Sequence, residues 1–291
     1  MYKEVVKYEK GIVLKDVRDF ELKHIFDCGQ CFRWNEEPDG SYIGVASKKA
    51  VRISKKHEDI YIHGGKFEDA DFWISYLDLN RDYKKIKEVL SKDKILMEAI
   101  KHGEGIRILN QEIFETIISF IISANNRIPM IKRAVENISK RFGEEILLDN
   151  KIYYTFPSPE ELKNATVDDL KNCGCGFRAE YIVETTRQIL DGNVNLNEIK
   201  TMPTDKAQKE LMNLKGIGPK VADCILLFSM GKHDAFPVDV WVKRVMQHFY
   251  LAPDVNLAKI REYGRNTFGE YAGFAQQYLF YYVRELKGKL E

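Results

Sequence analysis

The chain has no long apolar run. No stretch of its 291 residues reaches the ~18 apolar residues a helical membrane span needs. Its start, Met1-Tyr2-Lys3-Glu4-Val5, carries neither a secretory apolar core nor an Arg-rich transit pattern, so a cytoplasmic location is expected. Charge of one sign is not in excess either. Lys+Arg number 45 and Asp+Glu 44, a net of +1, so any anionic partner must be met by local charge. Cysteine is scarce and odd in number at five, which argues for reduced thiols rather than a disulfide framework. Cys28-x2-Cys31 and Cys173-x-Cys175 are paired too unevenly for a zinc knuckle, and no four-cysteine run suits an iron–sulfur cluster. No metal, cluster or organic cofactor is expected. No low-complexity linker or repeat array breaks the chain.

What is present describes a globular protein, with 44% hydrophobic and 31% charged residues, long enough for two or three packed units. The fold class expected is α+β. Residues 1–105 read as an N-terminal antiparallel β-sheet domain. Tyr42–Ala46, Ala50–Ile53 and Ile60–Ile62 are β-branched or aromatic runs separated by turn signals such as Asp39-Gly40 and His63-Gly64-Gly65. From about Asp69 the spacing turns helical. Residues 106–291 read as a helical body. A broad apolar stripe runs over Phe114, Ile117, Ile118, Ile121 and Ile122, and further helices are predicted at 129–142, 159–171, 178–191, 204–213, 219–230, 240–249, 256–267 and 271–287. The first and last helices of that body are expected to pack back on the sheet.

One segment carries chemistry. Leu214-Lys215-Gly216-Ile217-Gly218-Pro219-Lys220-Val221-Ala222 joins two helical patterns through a Gly-Ile-Gly turn within 211–222. Both glycines permit positive φ and a close backbone approach, and Pro219 suits a first helical turn. The free N–H groups at that helix start make an anion site, the helix–hairpin–helix arrangement that clamps phosphate. Lys220 falls in the first turn. Nineteen residues later, Asp239 precedes the amphipathic pattern Trp241, Val242, Val245, Phe249, where a carboxylate caps a helix. Taken singly, Lys220 reads as a solvated surface lysine and Asp239 as a helix cap; together in this frame they are candidates for a nucleophile and its charged partner.

Hairpin, Lys220, Gly231 and Pro237-Val238-Asp239, in that order, resemble the signature of the lysine-bearing HhH-GPD DNA glycosylases. Gly29-Gln30-Cys31-Phe32-Arg33-Trp34, Ser119–Asn126, Gly174–Ala179, Lys220–Cys224 and Ala275–Phe280 are similar to the 8-oxoguanine DNA glycosylase branch, over about Asp27 to Leu286. The resemblance implies a TBP-like sheet domain beside an all-α glycosylase body. It also implies a bifunctional enzyme, with Lys220 as nucleophile and Asp239 as its electrostatic and acid–base partner. Gly29 would present its carbonyl to N7–H of the oxidised base, Cys224 and Phe280 would sandwich that base, Gln276 would read its pairing edge, and Phe32 would complete the pocket. Asn125 would fill the vacated stack and Phe177 would wedge beside the orphaned base. Arg127, Met130, Lys171, Arg178, Gly216, Gly218 and Trp241 would contact DNA.

The implied partner is double-stranded DNA containing 8-oxoguanine, met by a monomer that is nucleoid-associated if the source is prokaryotic. A structural monovalent cation on the hairpin is allowed for. Five basic residues against one acidic in 125–143 supply local positive charge. Two positions depart from the family. Met130 stands where an arginine contacts the opposite cytosine, which predicts weak discrimination of the opposite base. Trp241 replaces a histidine near the phosphate. Removal of an alkylated or mismatched purine, and a non-catalytic DNA-binding module, remain the alternatives.

Overall fold

The β-branched runs pair as one antiparallel sheet of six strands: β1 (Glu4–Tyr8), β2 (Gly11–Lys15), β3 (Trp34–Glu36), β4 (Tyr42–Ala46), β5 (Lys49–Lys56) and β6 (Asp59–His63), in the order β1-β2-β6-β5-β4-β3. The structure, a computed structural model, describes residues 2–286. One face of the sheet packs on the helices Leu22–Phe26 and Ala70–Tyr76. There Trp34 stacks on Phe26 with ring centroids 4.3 Å apart and donates its indole N–H to the Tyr76 hydroxyl at 2.8 Å.

The other face was not anticipated. A second hairpin, β7 (Glu145–Leu148) and β8 (Lys151–Tyr154), lies in the stretch read as wholly helical and covers Ile43, Val45 and Ala50 with Leu148. Its turn, Asp149-Asn150, holds both residues at positive φ, the conformation a two-residue hairpin demands.

The helical body surrounds Ile113–Ser123, which is capped by the Glu112 carboxylate and buried over Phe114–Ile122. The predicted helix 159–171 is two short ones, Pro159–Leu162 and Val167–Asn172. Ser158 with Glu161, and Thr166 with Asp169, form separate capping boxes, so a new helix starts before the first could continue. The last helix spans Ala272–Glu285, and the predicted Lys287 lies outside the described residues. Helices Tyr83–Leu90 and Lys94–His102 contribute to the same core as the helical body.

The join between sheet and body is polar and saturated. Buried Gln30 donates to the carbonyls of Ile25 and Arg107 and accepts from Leu109 N–H. Buried Arg107 donates to the carbonyls of Asp19, Asp78 and Arg18. Such a junction is costly to open, because buried donors and acceptors would be left without partners.

Candidate active site

Helices Thr204–Leu211 and Pro219–Ser229 meet at the hairpin. Gly216 has φ +81°, and a Cβ there would stand 2.7–2.9 Å from atoms of Tyr181, so only glycine fits. Gly218 differs from expectation. Its φ is −95°, a value any residue adopts. Its glycine is explained by access instead: it caps the helix without a side-chain bond and faces open space, leaving the first N–H groups approachable. The carbonyls of Leu214 and Lys215 already accept from Ile217 N–H and the Thr185 hydroxyl.

Lys220 is half-buried one residue into the second helix, its ammonium 5.1 Å from the Phe120 ring centroid. One turn on, Cys224 is buried on the same face, and burial pushes its thiol up to about 11 against the pull of Lys220. Asp223 points the other way, buried and gripped by Arg261. Asp239 caps helix Val240–Phe249 through one oxygen, Oδ1, which accepts from Trp241 and Val242 N–H at 3.0 and 2.8 Å. Burial raises its carboxyl above the usual range, while those N–H groups and Lys220 pull it back.

Lys220 and Asp239 line one recess of about 330 Å³ together with Gly29, Cys224, Gln276 and Phe280. Gln276 is 4% exposed, and its Oε1 is buried without a hydrogen-bond partner. That is unusual for a side chain with no role. Phe280 lies against Gly29, which has φ +78°. A larger cleft of about 1080 Å³ shares Lys220, Asp239, Gly29 and Phe280, and adds Asn125 and Trp241. Phe32 lines this outer cleft, packed edge-on against Phe120 at 5.5 Å, and not the inner recess expected of it.

Around the cleft, Asn125 is exposed at φ +50°, and Phe177 and Met130 are 56% and 48% exposed. Arg127 and Lys171 are exposed, and the Trp241 ring sits 5.1 Å under the Arg244 guanidinium. Arg178 departs from its expected DNA contact. It is buried, its guanidinium donates to the carbonyls of Ala124 and Asn125, and it stacks over Phe177 at 4.3 Å. It ties the Phe177 loop to the Asn125 turn. Tyr181 and Thr185, on the same face of helix Arg178–Leu190, reach the hairpin. The basic face of 125–143 is also smaller than its composition. Lys132 donates to the Trp34 carbonyl, Lys140 pairs with Glu136, and Arg141 pairs with Asp169.

Among the described residues, no group of three or more His, Cys, Asp or Glu side chains is placed to hold a metal. All five cysteines are buried and unbridged. No helix among those residues is long and apolar enough to cross a membrane.

The profile of the 8-oxoguanine DNA glycosylase N-terminal domain matches residues 12–117, and that of the HhH-GPD superfamily of base excision DNA repair proteins matches 118–267. The chain belongs to the HhH-GPD superfamily, in its 8-oxoguanine DNA glycosylase branch. It is 37% identical to the "Probable N-glycosylase/DNA lyase" of Methanothermobacter thermautotrophicus over 84% of this chain and 78% of the relative. To the Arabidopsis thaliana N-glycosylase/DNA lyase OGG1 it is 31% identical, over 90% and 77%. The Clostridium acetobutylicum 8-oxoguanine glycosylase/lyase, solved with double-stranded DNA containing cytosine opposite 8-oxoguanine, superposes with a TM-score of 0.96 at 49% identity, covering 98% of this chain and 99% of that one. A 3-methyladenine DNA glycosylase from Archaeoglobus fulgidus, 23% identical with a TM-score of 0.76, shares the fold.

The structure adds three side chains that sequence reasoning passed over: Gln277, Arg284 and Arg261. Gln277 and Arg284 sit beside residues already singled out on the last helix, but their partners are backbone carbonyls far away in the chain. No local pattern marks them.

Proposed function

We propose that this protein binds double-stranded DNA, extrudes 8-oxoguanine into the inner recess, removes it and then nicks the strand. The observation that carries the proposal is the shared recess: an amine, a carboxylate, an unpartnered amide oxygen and a glycine backbone converge on one space.

Lys220 Nζ attacks C1′ of the extruded nucleotide. The C1′–N9 bond breaks, and the base leaves with the bonding electrons and takes up a proton. Asp239 holds negative charge near the sugar as positive charge builds there. Loss of a proton from the bound amine and opening of the ring leave a Schiff base. Removal of a C2′ proton then expels the 3′ phosphate oxygen by β-elimination. Gly29 offers its carbonyl to N7–H of the oxidised base, whereas normal guanine turns a lone pair toward it. An unmatched acceptor costs about 1–3 kcal/mol, roughly ten- to a hundredfold in selectivity. Gln276 reads the pairing edge and Cys224 with Phe280 flank the rings. Asn125 and Phe177 hold the opened stack, and the hairpin grips phosphate. Every group comes from one chain, so a monomer suffices, and no organic cofactor or cluster enters either step. The enzyme works where the genome is, in the cytoplasm, and on the nucleoid if the source is prokaryotic.

Borohydride during turnover of a duplex bearing 8-oxoguanine tests this. A covalent protein–DNA adduct is expected from the native chain and is lost in Lys220→Gln. Binding without any adduct would mean a DNA-binding module, and a panel of damaged bases in which an alkylated purine is released fastest would replace the substrate.

A further inference from the structure

The turn that carries Gly29 is anchored by its neighbours, with Cys28, Gln30 and Cys31 buried, while Gly29 itself is only half-buried. Gly29 lines the inner recess on one side and a second recess of about 540 Å³ on the other, bordered by Lys23, Asp27, Lys132 and Arg284. With a recess on either side, the Phe280 ring against it and a glycine at φ +78°, the orientation of its carbonyl depends on the groups that hold the turn.

Side chains from elsewhere do so. The Asp27 carbonyl accepts from Arg284 Nη2 at 2.5 Å, the Cys28 carbonyl from Gln277 Nε2 at 2.8 Å, and the Gln30 carbonyl from Gln111 Nε2 at 2.7 Å. In this row of four carbonyls, that of Gly29 alone has no protein donor among the described residues. It is left for a ligand.

Arg284 touches both parts of the reader. Its guanidinium carbon stands 5.5 Å from the Phe280 ring centroid. Phe280 carbons lie 3.1 and 3.3 Å, and Arg284 Nη1 3.8 Å, from the point where a Cβ on Gly29 would stand. Nη1 is buried and has no hydrogen-bond partner. Arg284 does not line the inner recess, although it borders the outer cleft beside Phe280. A planar guanidinium can donate along its edge while stacking with its face, which an ammonium cannot.

We propose that Arg284 is a specificity-determining positioning residue. Through the Asp27 carbonyl and the Phe280 ring it holds the Gly29 carbonyl and the aromatic face at the spacing that accepts an oxidised guanine. This rests on the function proposed above and deepens it.

Two steps separate the roles. Base excision needs the reader, whereas strand cleavage at a preformed abasic site needs only Lys220 and the grip on DNA. Under single-turnover conditions Arg284→Ala is expected to slow release of 8-oxoguanine about ten- to a hundredfold, with abasic-site cleavage changed less than about threefold. Arg284→Lys keeps a donor without the flat stack and should recover only part of the loss. Equal slowing of both steps, or no slowing of excision, overturns the inference. If Arg284→Ala does not fold, Arg284→Lys and Arg284→Gln are compared on the same two substrates, and the same split is required. Failure of the native chain to release 8-oxoguanine while it still cuts abasic sites would instead overturn the function.

Discussion

Asp223 and Arg261 form a two-point ion pair behind the helix that carries Lys220. Arg261 Nε reaches Oδ2 at 2.6 Å and Nη2 reaches Oδ1 at 3.0 Å, with Asp223 only 1% exposed. Gln208 adds a third donor at 2.9 Å. Arg261→Ala would leave that carboxylate buried without a counter-charge, an expected cost of about 3–5 kcal/mol. Asp223→Ala combined with Arg261→Ala should cost less than the two single changes summed. Urea unfolding of the four proteins measures this, and additive losses would show that the pair is not coupled.

Asp239 both caps a helix and faces the recess, and Asp239→Asn separates the two. Asparagine caps as well as aspartate, so stability by urea unfolding should change by less than about 1 kcal/mol. Excision should fall about a hundredfold or more, as when a charge-stabilising group is removed. Because burial lifts the Asp239 carboxyl above its ordinary range, excision by the native chain should decline on the acid side at a higher pH than an exposed aspartate would give. A pH–rate profile in which that decline persists in Asp239→Asn would assign it to another group.

Met130 sits exposed in the first turn of helix Ile128–Phe142 and has no hydrogen to donate to a cytosine. The native chain is expected to release 8-oxoguanine opposite each of the four bases at rates within about tenfold. Met130→Arg should shift preference toward cytosine by about 1–3 kcal/mol. Excision rates on four duplexes decide it, and a strong native preference for cytosine would contradict the reading.

His233 is pushed down to about 4, first by burial and then by Arg81, whose guanidinium lies 3.4 Å from Nε2. The folded state therefore holds this ring neutral where the unfolded chain protonates it near pH 6.5. Stability should be full above about pH 6.5 and fall as pH drops toward about 4, by up to about 3 kcal/mol. His233→Phe keeps the stack on Phe274, whose ring centroid is 5.1 Å away, and should flatten that acid slope. Denaturant midpoints between pH 4 and 7 report it.

The strands β4–β6 and most of the helices were legible, because β-branched runs, turn residues and helical spacing are local signals. The β7–β8 hairpin was not, although Asp149-Asn150 marks its turn. Its strands are only four residues each, too short for a period to stand out. At the site, Lys220 and Asp239 were legible through the hairpin frame, and Gly29, Cys224, Gln276 and Phe280 only through family resemblance. Phe32 lies in the outer cleft and Arg178 is buried against the Asn125 turn, placements that a sequence does not give because it names neighbours in the chain, not the depth of a side chain. Arg284, Gln277 and Arg261 were invisible for the same reason: each acts on a partner that tertiary structure alone brings near.

The saturated carbonyls at Asp27 and Cys28 join the opening residues of the chain to its last helix, 257 and 249 positions away. A polypeptide emerging from the ribosome therefore carries the phosphate-gripping corner and its lysine well before it can examine a base. Damage recognition is the final competence the molecule acquires, and it arrives with the same helix whose Phe274, Tyr278 and Leu279 complete the core of the body.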